Sequence, residues 1–183
     1  MPRGKTGRIH LSKTLLARLK RVRALAMDVD GVLTDAGMYY SETGDELKKF
    51  NTRDGMGIKM LQAAGLLTAI ITKEKTAIVE RRGQKLAIPD VEQGVDDKLL
   101  ALTQLAQKHG LSLEKVAYIG DDVNDLEALR RVGFSAAPAD AMPIVRKAVH
   151  YVCSKGGGEG AVRELTDLII KTQGHRPLYA PDR

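Results

Sequence analysis

The stretch Ala24-Leu-Ala-Met-Asp-Val-Asp-Gly-Val-Leu-Thr-Asp35 sets the reading of the whole chain. Four apolar residues run straight into an acid, a second acid follows two places later, and a glycine comes next. A short apolar run without polar alternation marks a strand buried on both faces, as in a parallel sheet. Residues i and i+2 of a strand point to one side, so Asp28 and Asp30 are expected to face one pocket, with Gly31 letting the chain turn sharply. Two carboxylates that close repel unless a cation or proton sits between them, and hard oxygen ligands suit Mg²⁺. A calcium loop of the EF-hand type does not fit: the glycine comes too early, and the twelfth position from Asp28 is Tyr39 instead of Glu.

Outward from this strand, short apolar runs alternate with helical patterns. Met38–Tyr40 and Glu46–Phe50 flank Ser41-Glu-Thr-Gly-Asp45 and predict a β-hairpin flap. Helices are expected over 57–64, 76–86, 98–108, 123–130, 141–148 and 161–171, and strands over 66–71, 91–94, 116–119, 134–136 and 151–153. This rhythm implies an α/β fold: a Rossmann-like parallel sheet with helices on both faces. Ligands of such sheets bind beyond the carboxyl ends of the strands. From Asp28 to Thr72 is 44 residues and from Thr72 to Lys98 is 26, filled by the hairpin, helices and strands, so no cap domain is expected.

At 183 residues with 43% apolar content the chain fits one domain with an ordinary core, and 28% charge excludes global disorder. No run approaches the ~18 apolar residues of a membrane span, and no apolar stretch near the N-terminus marks export, so a cytoplasmic protein is expected. The single Cys153 excludes an intramolecular disulfide framework and a cage of cysteines around zinc; its apolar strand context reads as core. The four histidines are scattered, without ligand spacing. Residues 1–23 hold eight cations and no acid, so the remaining 160 carry −2 of the overall +6. The reading is a basic arm over 1–23, a domain over 24–173 and a tail over 174–183. An arm of this kind is usually a solvated segment or loosely attached helix, and 4% aromatics leave few platforms for stacking bases; neither nucleic acid nor membrane is expected as a partner.

Gly120-Asp-Asp-Val-Asn-Asp125 follows another apolar run. Capping of the next helix accounts for one of its acids, Asp122, but not for three, and a cation site shared with Asp28 and Asp30 is more economical. Thr72 ends the run 66–71, where a hydroxyl and backbone N–H groups can hold a phosphate oxygen. Lys98 opens the helix after 91–94, where an ammonium would neutralise phosphate charge although the helix dipole disfavours it.

The order Asp-x-Asp, Thr, Lys, Gly-Asp-Asp-x-x-Asp resembles the haloacid dehalogenase-like phosphatase superfamily. That resemblance implies Asp28 as nucleophile and Asp30 as general acid/base, with Asp28, the Asp30 carbonyl and Asp121 binding Mg²⁺. It implies Thr72 and Lys98 as holders of the phosphoryl group, and Asp122 and Asp125 as supports of the metal or of Lys98. A receiver domain, which also phosphorylates an Asp, has its acidic pair before that Asp and offers no counterpart of Asp30.

Longer wording narrows the likeness. Phe50-Asn-Thr-Arg-Asp-Gly-Met-Gly57, Val95-Asp-Asp-Lys98, Tyr118-Ile-Gly-Asp-Asp122 and Gly157-Gly-Glu-Gly-Ala-Val-Arg-Glu164 look like the capless 3-deoxy-D-manno-octulosonate 8-phosphate phosphatases, over about Leu25 to Leu168. They look equally like relatives acting on nine-carbon ulosonate 9-phosphates, and like the phosphatase-like domain attached to some acylneuraminate cytidylyltransferases. The resemblance implies an enzyme of lipopolysaccharide or sialic-acid-type sugar biosynthesis. It implies a homotetramer whose hairpins, here Met38–Phe50, and C-terminal tails, here from Gly156 onward, close neighbouring sites. It places Asn51, Arg53, Asp54, Gly55 and Arg82 at the sugar. Octulosonate phosphatases usually read Thr-Gly-Arg where this chain reads Thr72-Lys-Glu74; the run through Lys85 looks more like the nine-carbon branch, so Glu74 and Lys85 are expected to contact substrate and favour a nononate 9-phosphate. The alternatives are a silent assembly or regulatory domain and a phosphatase of another small phosphorylated metabolite.

Overall fold

The computed structural model describes residues 11–42 and 46–175. The elements are α1 (Lys13–Arg21), β1 (Ala24–Met27), β2 (Tyr39–Tyr40), β3 (Glu46–Leu47), α2 (Thr52–Ala63), β4 (Leu67–Ile71), α3 (Ala77–Leu86) and β5 (Asp90–Glu92), followed by α4 (Lys98–Lys108), β6 (Val116–Ile119), α5 (Leu126–Arg131), β7 (Phe134–Ala137), α6 (Pro143–Ala148), β8 (Tyr151–Val152) and α7 (Ala161–Gln173). Six strands form one parallel sheet in the order β5-β4-β1-β6-β7-β8, and β2 and β3 pair as the hairpin flap. Among the described residues nothing resembling a cap domain is inserted.

Period-two alternation explains how one strand serves two layers. Leu25 and Met27 of β1 join the core formed with α1, α2, α3 and α7, while Ala24 and Ala26 join the core formed with α4, α5 and α6. On β6, Ala117 and Ile119 face the first layer, and Val116 and Tyr118 the second. The chain leaves β1 for β4 and β5 on one side and returns to β6 on the other. The strand order therefore reverses between β1 and β6, the position at which open α/β sheets bind ligands.

Part of the stretch read as a basic arm packs onto the domain. Ser12 caps α1 by accepting from Leu15 N, Leu19 is fully buried, and Gln173 Nε2 donates to the Leu19 and Val22 carbonyls at 2.9 Å each. Arg18 Nη1 donates to Gly133 O at 2.9 Å. Residues 12–22 thus pack into the domain with their cations outward, since amphipathic spacing, and not net charge, decides docking. The rest of the expected arm, residues 1–10, lies outside the described residues.

The segment from Gly156, expected to reach towards a neighbour, folds on its own chain. Gly157 N donates to Asp140 Oδ1 and Gly158 N to Val32 O, both at 3.0 Å, and 161–173 is α7, packed along α2. Of the expected tail 174–183, only Gly174 and His175 are described.

Docking of α1 gives a stability prediction. Leu19→Ala should lower unfolding stability by about 2–4 kcal/mol, as for other buried leucines. Urea denaturation checks it, and a loss below ~0.5 kcal/mol would mean a loosely attached helix.

Candidate active site

Strand register builds the site. Met27 lies level with Ile70 of β4 and Ile119 of β6. One residue further along, Asp28 leaves β1 beside Ile71 and Gly120, and the next rung carries Thr72 and Asp121. Asp28 and Thr72 are buried, and Lys98 at the head of α4 is equally enclosed. Lys98 Nζ donates to Asp28 Oδ2 at 2.7 Å and to Asp125 Oδ1 at 2.6 Å. That ion pairing outweighs the unfavourable dipole at a helix N-terminus.

Asp125 is the hub. Its side chain is fully buried and accepts from four donors: Lys98 Nζ, Tyr118 OH at 2.6 Å, Asp121 N at 2.9 Å and Asp122 N at 3.2 Å. A Cβ on Gly120 would come within 2.4 Å of the Asp125 carboxyl carbon, so only glycine fits beneath it. Asp122 is exposed and caps the turn over 123–125 by accepting from Val123 N, the helix-cap role.

Carboxylate oxygens of Asp28, Asp121 and Asp125 lie within 4.8 Å of one another. Burial and the neighbouring Asp125 raise Asp28 from its ordinary 3.8 to about 6, although Lys98 pulls the other way. Burial and the charge of Asp28 raise Asp121 to about 8. This crowding of hard oxygen donors fits a divalent cation, which would relieve the repulsion. Asp125 already spends its oxygens on four donors, leaving Asp28 and Asp121 as the carboxylates with capacity for a metal. A Cβ on Gly31, which has φ of +76°, would stand 2.0 Å from Asp121 Oδ2; the glycine makes room for that carboxylate.

Strand β1 stops at Met27 and Asp30 lies in the following turn. Lys48 Nζ donates to both its oxygens, at 2.8 and 2.9 Å, and Thr34 Oγ1 donates to one at 3.3 Å.

The expected sugar contacts divide into two groups. Asn51 caps α2 by accepting from Arg53 N at 2.8 Å and donates to Gly158 O at 3.1 Å. Asp54 is fully buried and accepts from Arg163 N at 2.7 Å, tying α2 to the start of α7. Burial raises its carboxyl above the ordinary value. Arg82 donates to Asn51 O at 3.0 Å, lies 5.2 Å from the Phe50 ring and covers Gly55. Among the described residues, Arg82 Nε is buried without a hydrogen-bond partner. Arg53 is exposed. Glu74 and Lys85 are exposed too, and stand at opposite ends of α3: Glu74 precedes the Thr76 cap and Lys85 lies in the last turn. Ten helical residues rise about 15 Å, so the two stand about three turns apart along α3.

Two functional neighbours escape sequence reasoning. Tyr118 is a fully buried strand residue whose hydroxyl serves Asp125, and desolvation drives its own ionisation far upward. Its signal was a lone hydroxyl in an apolar run before Gly120-Asp121. Lys48 was missed because its contact with Asp30 spans 18 residues.

A model of the haloacid dehalogenase-like hydrolases matches residues 67–165. The 3-deoxy-D-manno-octulosonate 8-phosphate phosphatase of Escherichia coli K12 is 42% identical over 90% of this chain and 87% of its own length. The crystal structure of the corresponding phosphatase of Moraxella catarrhalis, in complex with magnesium, phosphate and KDO, superposes with a TM-score of 0.86 at 42% identity, covering 87% of this chain and 92% of that one. A probable YrbI-family phosphatase of Pseudomonas syringae gives 0.87 at 50% identity, covering 89% and 93%. With the acid cluster, the buried lysine and the six-stranded sheet, these matches place the chain among the haloacid dehalogenase-like hydrolases, in the family that contains the octulosonate 8-phosphate phosphatases.

Proposed function

We propose that this chain is a Mg²⁺-dependent phosphatase cleaving the phosphate monoester of a 3-deoxy-2-ulosonic sugar acid, with 3-deoxy-D-manno-octulosonate 8-phosphate as substrate. The observation that carries the reading is the buried Asp28–Lys98–Asp125 chain beside Asp121, on a protein similar to one solved with magnesium, phosphate and KDO.

In this reading Asp28 attacks phosphorus, the bond to the sugar oxygen breaks, and Asp30 gives that oxygen a proton. Asp30 then takes a proton from the water that attacks the aspartyl-phosphate, and phosphate leaves with Asp28 restored. Thr72 and Lys98 hold phosphoryl oxygens, and Lys98 is oriented by Asp125. Asp28, the Asp30 carbonyl and Asp121 would hold the metal, with Asp122 and Asp125 behind them. When bound there, Mg²⁺ supplies positive charge that offsets repulsion between carboxylate and phosphate. Arg53 and Arg82 lend positive charge to the sugar-acid side, on a wall shaped by Asn51, Asp54 and Gly55. Cytoplasmic residence belongs to the same proposal, as a free buried Cys153 suits a reducing compartment.

A homotetramer is also part of the reading. The flap exposes Met38, Tyr39, Tyr40 and Leu47 by 41, 51, 69 and 66%, more apolar surface than a two-stranded hairpin keeps in water without a partner. Light scattering should give four chains per particle; a fully active monomer would refute the shared-flap reading.

Chemistry is tested by Asp28→Asn, expected to lower phosphate release from octulosonate 8-phosphate by at least about a thousandfold. EDTA should stop the wild type and Mg²⁺ restore it. Without metal, Asp28 and Asp121 bind protons more tightly in the folded than in the unfolded chain. The stability they contribute is complete below the ordinary 3.8 and is lost as pH rises through about 6 and about 8. The Tm of EDTA-treated protein should therefore fall across that window, and added Mg²⁺ should abolish the fall. A metal-free Tm that does not drop there would contradict a crowded acid site.

Glu74 supports a second substrate reading, the nine-carbon 9-phosphates, because it follows Thr72 closely and brings a carboxylate where octulosonate phosphatases usually carry Arg. On that reading kcat/KM favours a nononate 9-phosphate by roughly ten- to a hundredfold, and Glu74→Arg narrows the ratio. A wild-type preference for the octulosonate that Glu74→Arg leaves unchanged would make Glu74 a surface residue only.

A further inference from the structure

Lys48 sits one residue beyond β3, at the stem of the flap, and its side chain has no exposed surface, whereas the Asp30 side chain keeps 26%. Its ammonium donates to both Asp30 oxygens and approaches Met38 Sδ at 3.7 Å. Two residues further, Phe50 bridges to Thr34, whose hydroxyl also donates to Asp30. The Lys48 and Phe50 joints between the flap stem and the turn both lead to the Asp30 carboxylate, while Lys49 Nζ adds a separate joint to Asp35 at 2.8 Å. Burying an ammonium is costly unless its donors are satisfied. The carboxylate rotation of an aspartate is otherwise broad and soft, so these donors fix it.

We propose that Lys48 is a positioning residue: it holds Asp30 in the orientation from which its proton reaches the leaving sugar oxygen, so that flap geometry enters the rate of phosphoryl transfer. The inference rests on the reading of Asp30 as proton donor. As the Asp28–phosphorus bond forms and the bond from phosphorus to the sugar oxygen breaks, the Asp30 proton moves to that oxygen. When one Asp30 oxygen carries the proton, the other still accepts from Lys48, which itself touches neither phosphorus nor sugar.

The experiment uses the full chain with Mg²⁺ and compares octulosonate 8-phosphate with p-nitrophenyl phosphate, whose leaving group departs without a proton. The constant kcat/KM reports steps through the first phosphoryl transfer. Lys48→Met should lower it for the sugar phosphate by roughly ten- to a hundredfold, but for the aryl phosphate by less than about threefold. Lys48→Arg should recover part of the loss, because a guanidinium fork also grips a carboxylate with two donors. Equal losses on both substrates, no loss on either, or a loss confined to KM would overturn the proposal. Lys48→Gln gives the same comparison if Lys48→Met does not fold. Asp30→Asn, measured alongside, separates the two ideas. If its losses are equal on both substrates, the reading of Asp30 fails and the role of Lys48 falls with it. If they depend on the leaving group while those of Lys48→Met do not, only the role of Lys48 is refuted.

Discussion

A fully buried carboxylate with four donors is the constraint on which the catalytic end of this molecule depends. Asp125 binds the ammonium of Lys98, the hydroxyl of Tyr118 and two backbone N–H groups, and so joins α4, β6 and the loop after β6 at one point. A charge taken out of water is costly unless every lone pair is matched, and here the matching is what arranges the site. Lys98 is aimed at Asp28 because Asp125 holds its other side. The loop carrying Asp121 keeps its shape because its own N–H groups are bound to the same carboxylate. Gly120 is required by that carboxylate and Gly31 by the Asp121 side chain, so both glycines follow from acid placement.

Buried acids stand close together here, and burial first, then the neighbouring carboxylates, raises Asp28 and Asp121 above the ordinary carboxylate range. A fold organised for stability alone would place apolar groups at the ends of β1 and β6. Keeping acids there is intelligible when charge is to be balanced by a ligand, and it concentrates chemistry where the strand order reverses.

Much of this was legible in the sequence for a definite reason. Strands β1 and β6 and helix α4 were read with their observed bounds, because apolar runs ended by acids, and a helix with a Gly110 stop, are local signals. Asp28, Thr72, Lys98, Asp121 and Asp125 were read because each stands at a strand end or just beyond it. What failed was non-local. The first turns of α2, missed at Thr52–Met56, are fixed by the Asn51 cap and by Asp54 reaching α7 from 109 residues away. The docking of α1 depends on Leu19 and Gln173, 154 residues apart, while the cations Lys13, Arg18, Lys20 and Arg21 on the helix draw attention from its apolar face. Lys48 needs the hairpin closed before it meets Asp30.

Helix α7 begins beside the catalytic turn, where Gly157 and Gly158 rest on Gly31, Val32 and Thr34, and it ends at the opposite end of the strands, where Gln173 grips the carbonyls of Leu19 and Val22 ahead of β1. The helix is therefore a strut running the full height of the domain. A solid support or fluorescent label attached at Thr172 would sit on the face turned away from the acids, leaving the reactive edge open to solvent. A label attached near Gly156 would press on the turn that carries Asp30.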